Sequence, residues 1–364
     1  MYDKDGKKYL DVIAGISVSN LGHRHPAVTK AIHEQTDKYM HLMVYGEYIY
    51  HPQVQLSTLL SAQLAEHLNA VYLVNSGTEA TEGAMKLAKR YTGRTEVIGF
   101  KDSYHGSTQG SLSIIGDEYF KENYRPLIPD TRSIRYNNEE DLALITERTA
   151  CVFTEVVQAE SGVTPAHPCW LRKLRERCTK VGALLIFDEI QTGYGRTGTL
   201  FAHQQYNVEP DIILLAKGMG GGLPIGAFVA NNEVMAVFQD NPVLGHITTF
   251  GGNPVCSAAA LAVLETLLKE DYITQVKAKE TLFRSLLVHP KIKFVRSFGL
   301  IMAVGLESFE FNLQVISKCI EKGLITDWFL FESSCLRIAP PLIITEEEIK
   351  FTCEVILTSL SELS

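Results

Sequence analysis

The chain has 364 residues, of which 46% are apolar, so it can bury the core of one large domain and a smaller one. Its formal net charge of -8 argues against nucleic acid or an anionic membrane surface as a partner. The N-terminus does not resemble a signal peptide, and no apolar stretch is long enough to cross a bilayer. We therefore expect a cytoplasmic protein.

The seven cysteines are odd in number, and none lies in a CxxC pair. This spacing makes zinc ligation or a disulfide framework unexpected, and we expect no metal site. Reduced and mostly buried thiols are expected instead.

Short apolar runs alternate with helical patterns through the middle of the chain. The strand candidates are 71–76, 96–100, 150–157, 183–190 and 211–217. The helix candidates are 78–91, 170–182 and 257–271. Buried strands that alternate with helices predict an α/β fold with a mainly parallel sheet.

The composition changes after Gly252, where a long helix is followed by shorter strands and helices. Residues 255–364 are therefore predicted to form a smaller α+β domain, and 26–254 the large domain. Residues 9–22 have the character of short strands, and 1–25 are expected to pack with the smaller domain.

Two predicted strands end in charged residues, at Asp188 and at Lys217. The carboxyl ends of parallel strands are where α/β sheets bind ligands, and a lysine there is costly to bury without a partner. Taken singly, Lys217 could reach solvent and Asp188 could cap a helix. The glycines that follow Lys217 allow a sharp turn, but they do not open a helix as a dinucleotide-binding motif would.

Together, the two residues suit pyridoxal phosphate, which needs an amine for a Schiff base and a carboxylate beside its pyridine nitrogen. Ser76, Gly77 and Thr78 stand between a predicted strand and a helix, where backbone amides can bind a phosphate. The same residues are also ordinary helix caps.

Seven segments, in the same order along the chain, resemble the class III aminotransferases of the fold-type-I pyridoxal-phosphate enzymes. The acetylornithine/ornithine aminotransferase branch is the most similar. The segments are DKDGKKYLDVIAGISVSNLGHRHP, NSGTEATEGAMKLAKRYTG, YHGST, TEVVQAESG, LLIFDEIQTGYGRTG, LLAKGMGGGLPIGAFVA and TTFGGNPVCSAAALAVLE.

The resemblance implies an α/β fold whose large domain holds a mainly parallel, seven-stranded type of sheet, and a homodimer that shares its active sites. It implies that Lys217 forms the Schiff base with the cofactor and moves a proton between substrate and cofactor. Asp188 would pair with the pyridine nitrogen, and Gln191 would bond the phenolic oxygen.

The other implied cofactor-binding residues surround these three. They are Ser76, Gly77 and Thr78 at the phosphate, Tyr104 on the ring face, His105 and Glu155 nearby, and Thr249 reaching the phosphate of the other subunit. The resemblance also implies a substrate-binding pair, in which Arg337 binds a carboxylate or pairs with Glu160.

Three features depart from the family pattern. Ser107 stands where the acetylornithine branch has an arginine that binds a substrate carboxylate, and a serine cannot make that bidentate contact. Another basic residue, such as Arg24 or Lys101, could have taken over the contact. The motif from Glu155 to Glu160 reads EVVQAE but keeps both carboxylates. A stretch that precedes DKDGKKYLD in the family is expected to be missing.

We therefore expect an aminotransferase with small-molecule substrates. It would move an amino group from an amino acid or amine to a keto acid, 2-oxoglutarate or pyruvate, by a ping-pong mechanism. The alternatives are an aminomutase or another class III reaction, which needs no second keto acid, and a degenerate, non-catalytic cofactor-binding protein.

Overall fold

The computed structural model describes residues 1–43 and 48–363. The β-strands are β1 (Leu10–Asp11), β2 (Ala70–Val74), β3 (Glu96–Phe100), β4 (Thr131–Ile134), β5 (Thr149–Glu155), β6 (Val157–Gln158), β7 (Thr164–Pro165), β8 (Leu184–Asp188), β9 (Ile212–Leu215), β10 (Gly226–Ala230), β11 (Phe294–Ser297), β12 (Met302–Gly305), β13 (Leu324–Ile325), β14 (Asp327–Trp328) and β15 (Cys335–Ile338).

The helices fall between and after these strands. They are α1 (Ala14–Ser17), α2 (Pro26–Thr36), α3 (His51–Ser61), α4 (Gly77–Thr92), α5 (Gln109–Ser113), α6 (Pro168–Val181), α7 (Asn232–Met235), α8 (Pro254–Lys269), α9 (Val276–Leu286), α10 (Phe309–Glu321) and α11 (Glu346–Glu362). No helix in 1–43 or 48–363 is both long and apolar enough to span a membrane.

A seven-stranded sheet forms the centre of the molecule, in the order β2-β10-β9-β8-β5-β3-β4. Only β10 runs antiparallel to its neighbours. The predicted α/β fold with a mainly parallel sheet is therefore confirmed. The five predicted strands all form, while the edge strand β4 and the antiparallel strand β10 were not predicted.

Both faces of the central sheet are buried, which explains the continuous apolar runs in the sequence. Alternate residues of β5 and β8 point to opposite faces, as the period of a strand requires. Phe153 and Ile186 belong to the core under α4, whereas Val152 and Leu185 pack on the α6 side with Trp170.

A second sheet, antiparallel and four-stranded, has the order β11-β12-β15-β14. The N-terminal segment associates with this part of the chain, since β1 pairs in parallel with β13, Leu10 opposite Leu324. The domain limits 1–25, 26–254 and 255–364 stay a prediction.

The segment 9–22 is not the series of short strands that its apolar residues suggested. Only Leu10 and Asp11 form a strand, and α1 is a single left-handed turn in which every residue has a positive φ, from 49° to 63°. The Asp11 carboxylate explains where the strand stops, because it accepts hydrogen bonds from the backbone N–H groups of Ile13 and Ala14.

A buried histidine fixes the chain that follows β8. The Glu189 carboxylate accepts hydrogen bonds from the backbone N–H groups of Ala202 and His203 and pairs with the His203 ring at 3.0 Å. The other ring nitrogen of His203 lies 3.4 Å from Glu209. Burial opposes the charge of His203, but the two carboxylates outweigh it and raise its pKa to about 9.

We predict that His203 makes stability depend on pH. Because its folded pKa lies above the ordinary value, its contribution is complete below about pH 6.5 and is lost as the pH rises to about 9. The loss should be on the order of 2 kcal/mol, allowing for the half-exposed Glu209. Urea unfolding at pH 6 and pH 9 should show this loss in the unaltered protein and not in His203→Gln.

The exposed His33 provides a control for this measurement, since it makes no ion pair among the described residues. His33→Gln should retain the full difference between the two pH values. An equal difference in His203→Gln would show that another group is responsible.

Candidate active site

A cavity of about 500 Å³ opens at the carboxyl ends of the central strands. Nine of the predicted cofactor-binding residues line it together, although they come from five separate segments: Ser76, Gly77, Thr78, Tyr104, His105, Glu155, Asp188, Gln191 and Lys217. The parallel strands bring them together because β2, β5, β8 and β9 all end at this edge.

Asp188, the last residue of β8, lies at the cavity in a fixed orientation. One carboxylate oxygen is 2.7 Å from Nδ1 of the buried His105, and the other accepts a hydrogen bond of 3.0 Å from the backbone N–H of Ile190. The Asp188 side chain is only 5% exposed. These contacts compensate part of the cost of burying its charge.

Glu155 lies beside Asp188, because β5 and β8 pair with these two residues directly opposite each other. Burial and the charge of Asp188 raise the pKa of Glu155 well above its usual value. Two buried carboxyl groups at one site do not both ionise readily. The Glu155 carboxyl accepts hydrogen bonds of 3.3 Å from the backbone N–H groups of Tyr104 and Ala159, which lower its pKa but do not outweigh burial.

Lys217 follows β9 at a turn that a lysine rarely adopts, with φ of 41°. The next residue must be glycine, because a Cβ at Gly218 would lie 2.6 Å from the side-chain nitrogen of Asn20. Lys217 itself lines the cavity, and its Nζ donates a 3.2 Å hydrogen bond to Oε1 of Gln191.

Burial lowers the pKa of Lys217, and the neighbouring carboxylates Glu160 and Asp188 offset only part of the effect. A lowered pKa favours the neutral amine, which is the form of a lysine that attacks carbonyl carbons and accepts protons.

Ser76, Gly77 and Thr78 form the start of α4 at the cavity wall. The Ser76 hydroxyl caps the helix by accepting a hydrogen bond from the backbone N–H of Glu79. The N-terminus of a helix attracts anions through its free N–H groups and its dipole. The predicted phosphate-binding residues thus have the geometry that this function needs.

Ser107 lies at the cavity, whereas Arg24 and Lys101, the two residues suggested to replace the missing arginine, do not. Ser107 lines the cavity, and its hydroxyl lies 3.0 Å from that of Tyr104. Arg24 and Lys101 are exposed and are not among the described residues that line the cavity. Within one chain, therefore, neither is positioned to replace the arginine.

Glu160 and Arg337 form a buried ion pair rather than part of the cavity lining. Both terminal nitrogens of Arg337 donate to Glu160, at 2.9 and 2.8 Å. Burial opposes the ionisation of Glu160, but the facing guanidinium outweighs it and lowers the pKa of this carboxyl. The pairing that the resemblance allowed is the arrangement in this structure.

Thr249 lies outside the cavity of its own chain and is exposed. The neighbouring Thr248 accepts a hydrogen bond from the side chain of Asn75, next to the start of α4. The cavity also has an apolar wall to which the sequence analysis gave no role, although its members lie within the quoted segments: Val18, Ile190, Leu223, Pro224 and Ile225.

A family model described as Aminotransferase class-III matches residues 1–360. The chain belongs to the class-III aminotransferases. As a class-III aminotransferase it is a pyridoxal-phosphate-dependent transaminase of fold type I, and the predicted family, enzyme class and cofactor are confirmed.

Relatives of known name resemble this class-III aminotransferase over nearly its whole length. The acetylornithine aminotransferase of Listeria monocytogenes is 40% identical over 95% of this chain and 88% of its own. That of Clostridium acetobutylicum is 36% identical over 96% and 91%. The ornithine aminotransferase structure from Toxoplasma gondii superposes with a TM-score of 0.92 at 30% identity, covering 100% of this chain and 87% of that chain.

An unpaired polar group in the cavity of this class-III aminotransferase is consistent with the binding of pyridoxal phosphate. The buried Nε2 of Gln191 has no hydrogen-bond partner among the described residues, and its Oε1 is already bonded to Lys217. A buried amide donor without a partner is costly, so an acceptor at this point is expected. An amine, a carboxylate and a helix N-terminus surround the same space.

Proposed function

We propose that the cavity residues divide the binding of pyridoxal phosphate among them. Lys217 supplies the amine, Asp188 faces the pyridine nitrogen, and Gln191 donates its free amide to the phenolic oxygen. The start of α4, from Ser76 to Thr78, binds the phosphate, and Tyr104 covers the ring. The single observation that carries this assignment is the convergence of these residues on one cavity.

Two neighbours suit Asp188 to this role. His105 holds one of its oxygens at 2.7 Å, and the raised pKa of Glu155 makes this second carboxyl less readily ionised beside Asp188. The cofactor, when bound, supplies an electron sink for the carbon that loses its proton. A negative charge at Asp188 keeps that sink effective.

The lowered pKa of Lys217 suits it to proton transfer. When its Nζ is not bound to the cofactor, Lys217 would accept the proton from the carbon that carries the donor amine and would then donate it again. Gln191 orients Nζ at 3.2 Å. Lys217 would therefore serve both half-reactions of the ping-pong mechanism.

We predict that Lys217→Ala removes covalent cofactor attachment and lowers turnover by several orders of magnitude, since no other amine faces the cavity among the described residues. Borohydride reduction and peptide mapping should label Lys217 alone in the unaltered enzyme. The exposed Lys101→Ala is the control and should keep both label and activity. A label on a different lysine would refute the assignment.

The substrate class follows from Ser107. The relatives at 36–40% identity are named acetylornithine aminotransferases, but the resemblance places a carboxylate-binding arginine at this position in that branch. Losing such a contact costs about 1.5–3 kcal/mol, or roughly tenfold to a hundredfold in affinity. We infer that the amino donor has no carboxylate at this point, as in a diamine or an ω-amino acid.

The apolar wall supports this inference, because Val18, Ile190 and Leu223 offer no charge to a second carboxylate. The keto acid, 2-oxoglutarate or pyruvate, would bind through Arg337 after Glu160 releases it. Its carboxylate would replace that of Glu160 on the same two nitrogens.

We predict a higher kcat/KM for a diamine or an ω-amino acid than for N-acetylornithine, with 2-oxoglutarate as acceptor. Ser107→Arg should raise kcat/KM for N-acetylornithine at least about tenfold by restoring the bidentate contact. Ser107→Lys is the matched control and should gain less, since an ammonium lacks the planar fork. Efficient turnover of N-acetylornithine alone by the unaltered enzyme would contradict this inference.

We further propose a homodimer that shares its active sites. A depression of about 760 Å³ lies beside Thr249 and is lined by exposed apolar residues, Ile49, Val243 and Ile247 among them. An apolar surface of this kind suits a protein partner, and a second copy would carry its own Thr249 toward the neighbouring phosphate site. The seven free thiols, five of them buried, fit a reducing compartment such as the cytoplasm.

We predict that Thr249→Arg and Lys217→Ala chains are each inactive alone and regain activity when mixed. A heterodimer has one site with an intact Lys217 and an intact Thr249 from opposite chains. About half of the normal activity per heterodimer is expected, and co-purification on two different tags identifies the mixed species. Proven heterodimers without activity would argue against a shared site.

A further inference from the structure

Arg337 lies between two carboxylates that come from different parts of the fold. Asp327 on β14 stands directly opposite Arg337 on β15 in the antiparallel ladder. Its Oδ1 is 3.0 Å from Nε of the arginine. Cross-strand neighbours of opposite charge stabilise a sheet, and the ladder fixes their separation.

Glu160 approaches the same guanidinium from another direction. It follows β6 and binds the two terminal nitrogens, while Asp327 faces the Nε side. One terminal nitrogen also donates to the backbone carbonyl of Trp328, and the ring of Phe329 lies 4.5 Å from the guanidinium carbon. Glu160 thus binds Arg337 from a loop, whereas the other three contacts come from β14 and from Phe329, the residue that follows it.

The contact with Asp327 is close but poorly aligned. Neither Nε of Arg337 nor Oδ1 of Asp327 has a properly directed hydrogen bond among the described residues, although both atoms are buried. Burial raises the pKa of Asp327 to about 6 even with the arginine beside it. Oδ1 of Asp327 can therefore still accept a hydrogen bond while Glu160 binds the terminal nitrogens of Arg337.

We propose that Asp327 is a positioning residue, which holds the Nε edge of Arg337 in place while the terminal nitrogens exchange Glu160 for the carboxylate of the keto acid. This inference rests on the role proposed above for Arg337. Because the exchange replaces one carboxylate by another, the electrostatic effect of Asp327 on Arg337 is nearly the same before and after it. The contribution of Asp327 is therefore to the orientation of the guanidinium, since a small rotation toward Oδ1 would align the hydrogen bond from Nε.

The test compares holoenzyme variants in two measurements: the Kd of glutarate, which has the carboxylates of 2-oxoglutarate but no keto group, and the KM for 2-oxoglutarate. Asp327→Ala should weaken both by about tenfold, the effect of one hydrogen bond to a charged group. The single-turnover rate with the best amine donor should change less than twofold. Asp327→Asn keeps an acceptor for Nε–H and should restore glutarate binding to within about threefold.

Two further variants interpret these results. Glu332→Ala is the matched control, because Glu332 lies in the same β14–β15 connection but pairs with Arg296. It should leave both constants unchanged. If Asp327→Ala is unstable, Asp327→Ser replaces it, since the serine hydroxyl is too short to reach Nε.

Arg337→Ala separates the two proposals. If it weakens glutarate binding and Asp327→Ala does not, Asp327 has no positioning role, and this inference is overturned. A similar loss in both half-reactions of Asp327→Ala would also overturn it, because it would indicate a general structural defect. If Arg337→Ala leaves glutarate binding unchanged, the keto acid does not bind there and both proposals fail.

Discussion

The register between β5 and β8 is the constraint on which the active site depends. It places Glu155 directly opposite Asp188 at a buried strand edge, where two negative charges would repel each other strongly. The surroundings of the two groups differ: Asp188 has His105 and a backbone N–H as close partners, whereas burial and the charge of Asp188 raise the pKa of Glu155 well above its usual value. The charge of Asp188 also offsets part of the effect of burial on Lys217, whose pKa is lowered.

Much of this could be predicted from the sequence, for reasons that particular elements show. β5 and β8 are long apolar runs because both of their faces are buried, and the charged residue that ends β8 marked the site. The edge strand β4, TRSI, is half polar, and β10 directly follows a glycine-rich turn, so neither showed a strand pattern of its own. The left-handed turn α1 depends on local hydrogen bonds of Asp11 that no periodicity reveals.

Some residue roles could be predicted from the sequence, and others could not. Lys217, Asp188 and Gln191 are encoded in two adjacent motifs, and their convergence needs only that neighbouring parallel strands end together. Asp327 could not be found in this way. Asp327 and Arg337 are ten residues apart along the chain, and only the register of β14 and β15 places them opposite each other. Register is a property of the folded sheet.

In the proposed assignment of roles, Arg337 is the residue that recognises the substrate carboxylate. Among its described lining residues, the cavity has no arginine, and Lys217 is the only lysine. Arg337 is paired with Glu160, whose carboxylate also accepts a hydrogen bond from the backbone N–H of Leu330, so both buried charges have partners. On the roles proposed above, a donor without a nearby carboxylate would bind without displacing Glu160. A keto acid would replace Glu160 on Arg337, because its own carboxylate offers the same two acceptors. The proposal therefore lets one active site accept two chemically different substrates in turn, and the opening of the Glu160–Arg337 pair would discriminate between them.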